Sequence, residues 1–398
     1  MTNAAEDLLA AVARIRPLAE VRALDAERDR TLHPEVVAAL HREGIFAVAM
    51  PSELGGREVD LVTQLTVFEA LAHADASAGW CAMIGALLTG MMGGYLPDAG
   101  VARVFSGRTP IGAGLQQPLG VARAERRNGR EGYLVEGRWG FGSGIRHSDW
   151  IFTAARVVPP DGAPEPQGMP PMILVAVPTA QAIIESTWDT VGLRGTGSEH
   201  YRLEGVFVEE ELTCSFPAAA PRRGGALFAL PFLPFVAAGH LGFALGVARR
   251  ALDEIQAVAP QRTLAWTQNR VSDQPSFRDG LGRAHASLCS ARAWSREVLG
   301  DTQAIVARGA HLLPADWAPL RLAITRVTEV CAEVAMFAFR AGGAPSLEAS
   351  SRLQRCLRDL NAATQHVIAS PASYDFAGAA LLGAAPFVPM HLPRAPAS

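Results

Sequence analysis

Residues Ala76 to Pro97, ASAGWCAMIGALLTGMMGGYLP, carry no charge across 22 positions. A run that long without a charge has two homes, a lipid bilayer or the inside of a protein. Five of its residues are glycine and its flanks, Asp75 and Asp98, are acidic, which suits a membrane span poorly. The reading is a helix buried inside a helical domain, with small residues that let neighbouring backbones approach or a pocket form. Such a helix needs protein on every side, and 398 residues suffice for two or three domains packed as one unit.

The texture of the chain divides it in three. Residues 1–108 read as helical: PEVVAALHREGIF and LVTQLTVFEALAHAD repeat apolar residues every three or four positions and stop at Gly or Pro. Residues 109–225 read as a β domain, because REGYLVEGRWGFGSG, DWIFTAARVV, MILVAVP and YRLEGVFVE are short, rich in β-branched and aromatic residues, and bounded by turn formers. Within it, PPDGAPEPQGMPP (159–171) reads as a surface loop. Residues 226–398 return to long helices and end in RAPAS, read as a frayed tail.

Composition removes several chemistries. All 36 basic residues are arginine, so no lysine exists to form a Schiff base, anchor pyridoxal phosphate or serve a Walker-type phosphate loop. The net charge of −3 offers no footprint for nucleic acid or an anionic membrane. The five cysteines are scattered, with no Cys-x-x-Cys pair or Cys/His cluster, so no metal site is expected. The opening MTNAAEDLLAAVARIRP lacks the apolar core of a signal peptide, and the expected location is cytoplasmic.

Several strings, in order, resemble the acyl-CoA dehydrogenase superfamily over nearly the whole chain. LHREGIFAVAMPSELGG is similar to its N-terminal helix, turn and P-x-x-x-GG passage, and GRWGFGSGIRHSDW to the strand beside the flavin ring. VGLRGTGSEHYRLEGVFVEEE resembles the passage that ends the β domain, ALDEIQAVAPQR a bundle helix whose arginine reaches a flavin phosphate, and GGAPSLEASSRLQRCLRD the loop and helix that close the cofactor site. The resemblance implies an α+β fold: an N-terminal α-helical domain, a central β-barrel and a C-terminal four-helix bundle. It also implies a homotetramer with flavin at the subunit interface.

Dehydrogenases of this superfamily need a carboxylate to take the proton α to a thioester. In most members it lies eight residues beyond the Asp of an Arg-Asp pair; here, eight beyond Asp359, stands Val367. The alternative location, on the first long bundle helix, is also barren, since no Asp or Glu occurs from Leu212 to Leu252. The remaining features resemble another branch, the two-component (group D) flavin-dependent monooxygenases: Gly79-Trp80, the phrase SG…H-x-DW, and His366 after the Arg-Asp pair. Such an oxygenase component takes reduced FMN or FAD from a separate reductase, binds O₂, and hydroxylates through a C4a-hydroperoxyflavin; an aromatic or polycyclic small molecule is the expected substrate. The competing readings are a flavin-dependent dehydrogenase or oxidase of an acyl thioester with a relocated base, and a non-catalytic scaffold of the same fold.

The resemblance assigns roles to particular residues, each with a structural alternative. His366 is the proton donor beside the flavin, with a pKa near neutrality, or packs the bundle. Ser143 accepts from flavin N5–H, or is a turn serine between glycines. Phe141 packs near the flavin ring, or in the barrel core. Arg262 pairs with a flavin phosphate, and Gly342 and Gly343 allow a phosphate close to the backbone or end a helix. Trp80, Leu88 and His240 mark the substrate side. Leu88 occupies the place where several monooxygenase relatives carry a histidine, and His240, like His147, reads either as a satisfied structural histidine or, for His240, as one facing the substrate. Asp359 is expected to pair with Arg355, one helical turn earlier.

Overall fold

A computed structural model of the chain describes residues 3–159, 170–217, 220–264 and 267–384. The loop 159–171 falls almost wholly outside the described residues, and RAPAS does so entirely. Helices come first: α1 (Asn3–Asp29), α2 (Pro34–Arg42), α3 (Leu61–Ala74), α4 (Ala76–Tyr95) and α5 (Asp98–Val104). The uncharged run is α4, and nearly every residue of it is buried in the protein. Its first turn is closed by Asp75, whose Oδ1 accepts the Ala78 amide at 2.8 Å, one of the orphan donors that every helix start presents. Its glycines make room for backbone: a Cβ at Gly90 would stand 2.5 Å from the Ala49 carbonyl oxygen.

Strands occupy the middle of the chain: β1 (Gly112–Ala113), β2 (Gly120–Arg127), β3 (Arg130–Gly142), β4 (Trp150–Val158), β5 (Met172–Pro178), β6 (Ile183–Glu185), β7 (Glu199–Glu209) and β8 (Thr213–Phe216). They form one mixed sheet in the order β6-β7-β3-β2-β4-β5-β8, with β1 added parallel to β4. Among the described residues the end strands β6 and β8 do not pair, so the β-barrel is an open one. The register of β3 against β7 slips between Trp139 and Gly142, a bulge that frees the end of β3 from regular pairing.

The bundle consists of α6 (Phe232–Val258), α7 (Pro275–Ala307), α8 (Pro314–Gly342) and α9 (Arg352–Ala363), with α10 (Ala372–Leu381) against α8. α3 packs along α6, and α4 also reaches α6, so the uncharged helix sits between the sheet and the bundle. One hydrophobic core runs through all three regions.

The cap on α4 generates a test. Asp75 is wholly buried, and burial raises its carboxyl pKa. Asp75→Ala removes the cap and should lower stability by about 1 kcal/mol. Asp75→Asn keeps an acceptor without a charge and should equal or exceed the wild type; urea denaturation at pH 7 measures both.

Candidate active site

The end of β3, the buried helix α4, the first turns of α6 and the loop after α9 meet at one place. Trp80, 5% exposed, points its indole N–H at Ser143, with Nε1 3.1 Å from Oγ. Its ring stands edge-on to three others: Phe243 at 4.9 Å between centroids, His366 at 5.5 Å and His240 at 5.8 Å. The two imidazoles are themselves 5.5 Å apart. The structure therefore brings together Trp80, Ser143, His240 and His366.

Ser143 is more than a turn serine. It is buried, and its Oγ lies 2.7 Å from Ser198 Oγ as well as accepting from Trp80. Ser198 Oγ is in turn 2.7 Å from Thr196 Oγ1, which donates to the Leu193 carbonyl at 2.7 Å. Phe141, two residues before Ser143, is not barrel core: it is 61% exposed, with φ at 57° in the left-handed region. The bulge in β3 turns it outward against the edges of Trp188 and His200, a strained placement that suits a surface-lining role.

His240 is 2% exposed, and among the described residues neither ring nitrogen has a hydrogen-bond partner. Burial, with a smaller contribution from the nearby His366, pushes its pKa down to about 3. His147 likewise has no hydrogen-bond partner at either nitrogen among the described residues. His366 caps the short turn Val367–Ala369, its Nδ1 accepting the Ile368 amide at 3.3 Å. That bond selects the neutral tautomer with its proton on Nε2. Although part of the residue stays exposed, the ring lies deep enough that burial lowers its pKa to about 4. The expected pKa near neutrality is thus corrected: desolvation disfavours the imidazolium, and at neutral pH the ring is uncharged.

Among the described residues no carboxylate is hydrogen-bonded to this cluster. Val367 is 80% exposed and cannot take a proton. Among the described residues Asp359 does not make the expected direct ion pair with Arg355, although the nearby Arg355 charge favours its ionised form. Its Oδ1 accepts the Leu193 amide at 2.6 Å, and burial raises its pKa to about 7. Leu88 is buried on α4, against Gly112 of β1.

Arg262, Gly342 and Gly343 come together elsewhere, on the bundle. Arg262 donates through Nη1 to the Ala341 carbonyl at 2.6 Å, and its guanidinium fills the space a side chain at Gly343 would need. Gly343 has φ at 64°, which glycine adopts at little cost. A cavity of about 660 Å³ opens beside them, lined by Arg262, Phe277, Phe337 and Arg340. Neither Ser143 nor Phe141 lines it.

Sequence reasoning missed Ser198, Thr196, Leu193 and Phe243. The string GLRGTGSEH displays its hydroxyls openly. Which oxygen meets which, however, depends on a 3₁₀ turn at Arg194–Thr196 and on Gly197 in the left-handed region.

Comparison with known proteins gives the family. The family model described as Acyl-CoA dehydrogenase, N-terminal domain matches residues 5–95, and that described as Acyl-CoA dehydrogenase, C-terminal domain matches residues 238–371. An indole-3-acetate monooxygenase of Pseudomonas putida is 32% identical over 368 residues, covering 90% of each chain. The oxygenase component of an FADH(2)-dependent resorcinol hydroxylase from Rhizobium sp. is 27% identical, again over 90% of each. The structure of XiaF from Streptomyces sp., in complex with FADH2 and glycerol, superposes with a TM-score of 0.88 at 26% identity, over 97% of both chains. The chain belongs to the acyl-CoA dehydrogenase superfamily, in its branch of two-component flavin-dependent monooxygenases.

The buried imidazoles set a pH dependence. The His240 pKa is depressed from 6.5 to about 3 in the folded protein, so the stability present above pH 6.5 is lost as pH falls. For this one group the loss at pH 5 is about 2 kcal/mol. His240→Leu should flatten the drop in urea-denaturation free energy between pH 7 and pH 5 by about that amount, the other buried histidines supplying the rest.

Proposed function

We propose that this protein is the oxygenase component of a two-component system, taking reduced flavin from a separate reductase and hydroxylating an aromatic small molecule. The observation that carries the reading is the composition of the ring cluster: two neutral imidazoles, an indole and an oriented hydroxyl, with no carboxylate positioned as a base. Relatives named for indole-3-acetate and resorcinol oxidation support an aromatic substrate.

The residues fit a flavin. Ser143 is held by neighbours and retains acceptor capacity for a ring N–H, and Phe141 offers an exposed aromatic face beside it. The Arg262 guanidinium, packed on the backbone at Gly343, suits a phosphate, and we propose that the cavity beside it receives the flavin phosphates of a neighbouring protomer in a homotetramer. The bound reduced flavin supplies the electrons that activate O₂. Trp80 and Phe243 flank the substrate side with apolar ring surface, which keeps water away from a reactive oxygen species. His240 brings hydrogen-bonding capacity that no group among the described residues uses, suited to the N–H or O–H of a neutral aromatic. His366 presents Nε2–H as a hydrogen-bond donor toward the reacting oxygen, its Nδ1 being held by the Ile368 amide.

The test is turnover with NADH, flavin, an unrelated flavin reductase and ¹⁸O₂, using indole and simple phenols as substrates. Product carrying one labelled oxygen is expected, and His366→Ala should cut product per NADH by at least about a hundredfold. Oxidation of NADH with no labelled product from any aromatic would sink the reading.

A further inference from the structure

The hydroxyls beside Trp80 have only one consistent arrangement of hydrogens. Thr196 Oγ1 lies 2.7 Å from the Leu193 carbonyl oxygen, a contact that is attractive only if Thr196 donates its hydrogen there. The Leu193 carbonyl is itself held in place: its residue's amide is bound to Asp359, and the Trp188 indole donates to the same oxygen at 2.9 Å. With the Thr196 hydrogen spent, the 2.7 Å contact to Ser198 requires Ser198 to donate. With the Ser198 hydrogen spent, the 2.7 Å contact to Ser143 requires Ser143 to donate. Trp80 then donates to Ser143, since an indole nitrogen has nothing else to offer. Ser143 is left with one unused lone pair and no free hydrogen.

We propose that Ser198 and Thr196 lock the Ser143 hydroxyl as an acceptor, and thereby make the site select reduced flavin over oxidised flavin. The proposal rests on the reading that Ser143 meets flavin N5. Reduced flavin carries a hydrogen on N5 and can donate it to the open lone pair. Oxidised flavin offers a lone pair there, which meets another lone pair. Turning the Ser143 hydrogen toward it would break the bond to Ser198 and leave two oxygens 2.7 Å apart with no hydrogen between them somewhere along the row. Ser198 and Thr196 are positioning residues, acting through Ser143.

The experiment is anaerobic measurement of Kd for the reduced and oxidised forms of the same flavin with the full-length protein. The wild type should bind the reduced form at least about tenfold more tightly, one hydrogen bond's worth. Ser198→Ala releases the Ser143 hydrogen and should narrow that ratio about tenfold, chiefly through tighter binding of oxidised flavin. Thr196→Val should narrow it further: the Ser198 hydrogen, deprived of its acceptor, turns to Ser143, fills the last lone pair and so weakens the reduced form as well. Each tenfold change should appear independently as a fall of about 30 mV in the midpoint potential of the bound flavin. Equal changes in both affinities in these variants would mean a merely structural row and overturn the proposal. A ratio that responds to Ser143→Ala but not to Ser198→Ala or Thr196→Val would overturn it while leaving Ser143 at the flavin. Affinities untouched by Ser143→Ala would overturn both the proposal and the reading beneath it.

Discussion

The contact between the Asp359 carboxylate and the Leu193 amide joins the parts of this molecule that must act together. It ties α9 of the bundle to the loop that enters β7, at 2.6 Å and out of reach of solvent. Gly192 permits the approach, because a side chain there would collide with the Arg358 carbonyl. Leu193 pays in backbone strain, with φ at 53°. The return is a carbonyl held rigidly enough to receive Trp188 and Thr196, and through Thr196 to fix the hydroxyls that end at Ser143. The raised pKa of Asp359 measures the desolvation this arrangement tolerates.

Beside that row the chemistry is carried by groups without charge. His240 and His366 are both neutral at physiological pH because burial disfavours the imidazolium, and they lie close enough that one charged ring would hinder the other. A neutral pair in an aromatic surround accepts an uncharged substrate without the cost of desolvating an ion.

Much of this was legible in the sequence. The uncharged run had to be a buried helix, and the alternation of textures had to give helices, then strands, then helices. The absence of any acid from Leu212 to Leu252 and of a glutamate eight residues after Asp359 turned the reading from dehydrogenase to oxygenase. Trp80, Ser143, His240 and His366 were each visible as candidates. What could not be read was their mutual arrangement, since Trp80 and His366 stand 286 positions apart and meet only when α4 is enclosed. The pKa of His366 was misjudged for the same reason, because desolvation belongs to the enclosure and not to the residue. Asp359 was paired with Arg355 by helical spacing, a local rule that lost to a long-range backbone donor.

The hydroxyl row has a further consequence when regarded as a set of dipoles. Trp80, Ser143, Ser198 and Thr196 point their N–H and O–H bonds head to tail toward one carbonyl, as peptide units do along a helix. Each bond polarises the next, by about 10–30% in condensed-phase estimates, so the negative end of the row gathers at the oxygen of Ser143. No member of the row titrates in the physiological range. The polarity is therefore a property of the fold itself, a small built-in field anchored at the carbonyl that Asp359 holds in place.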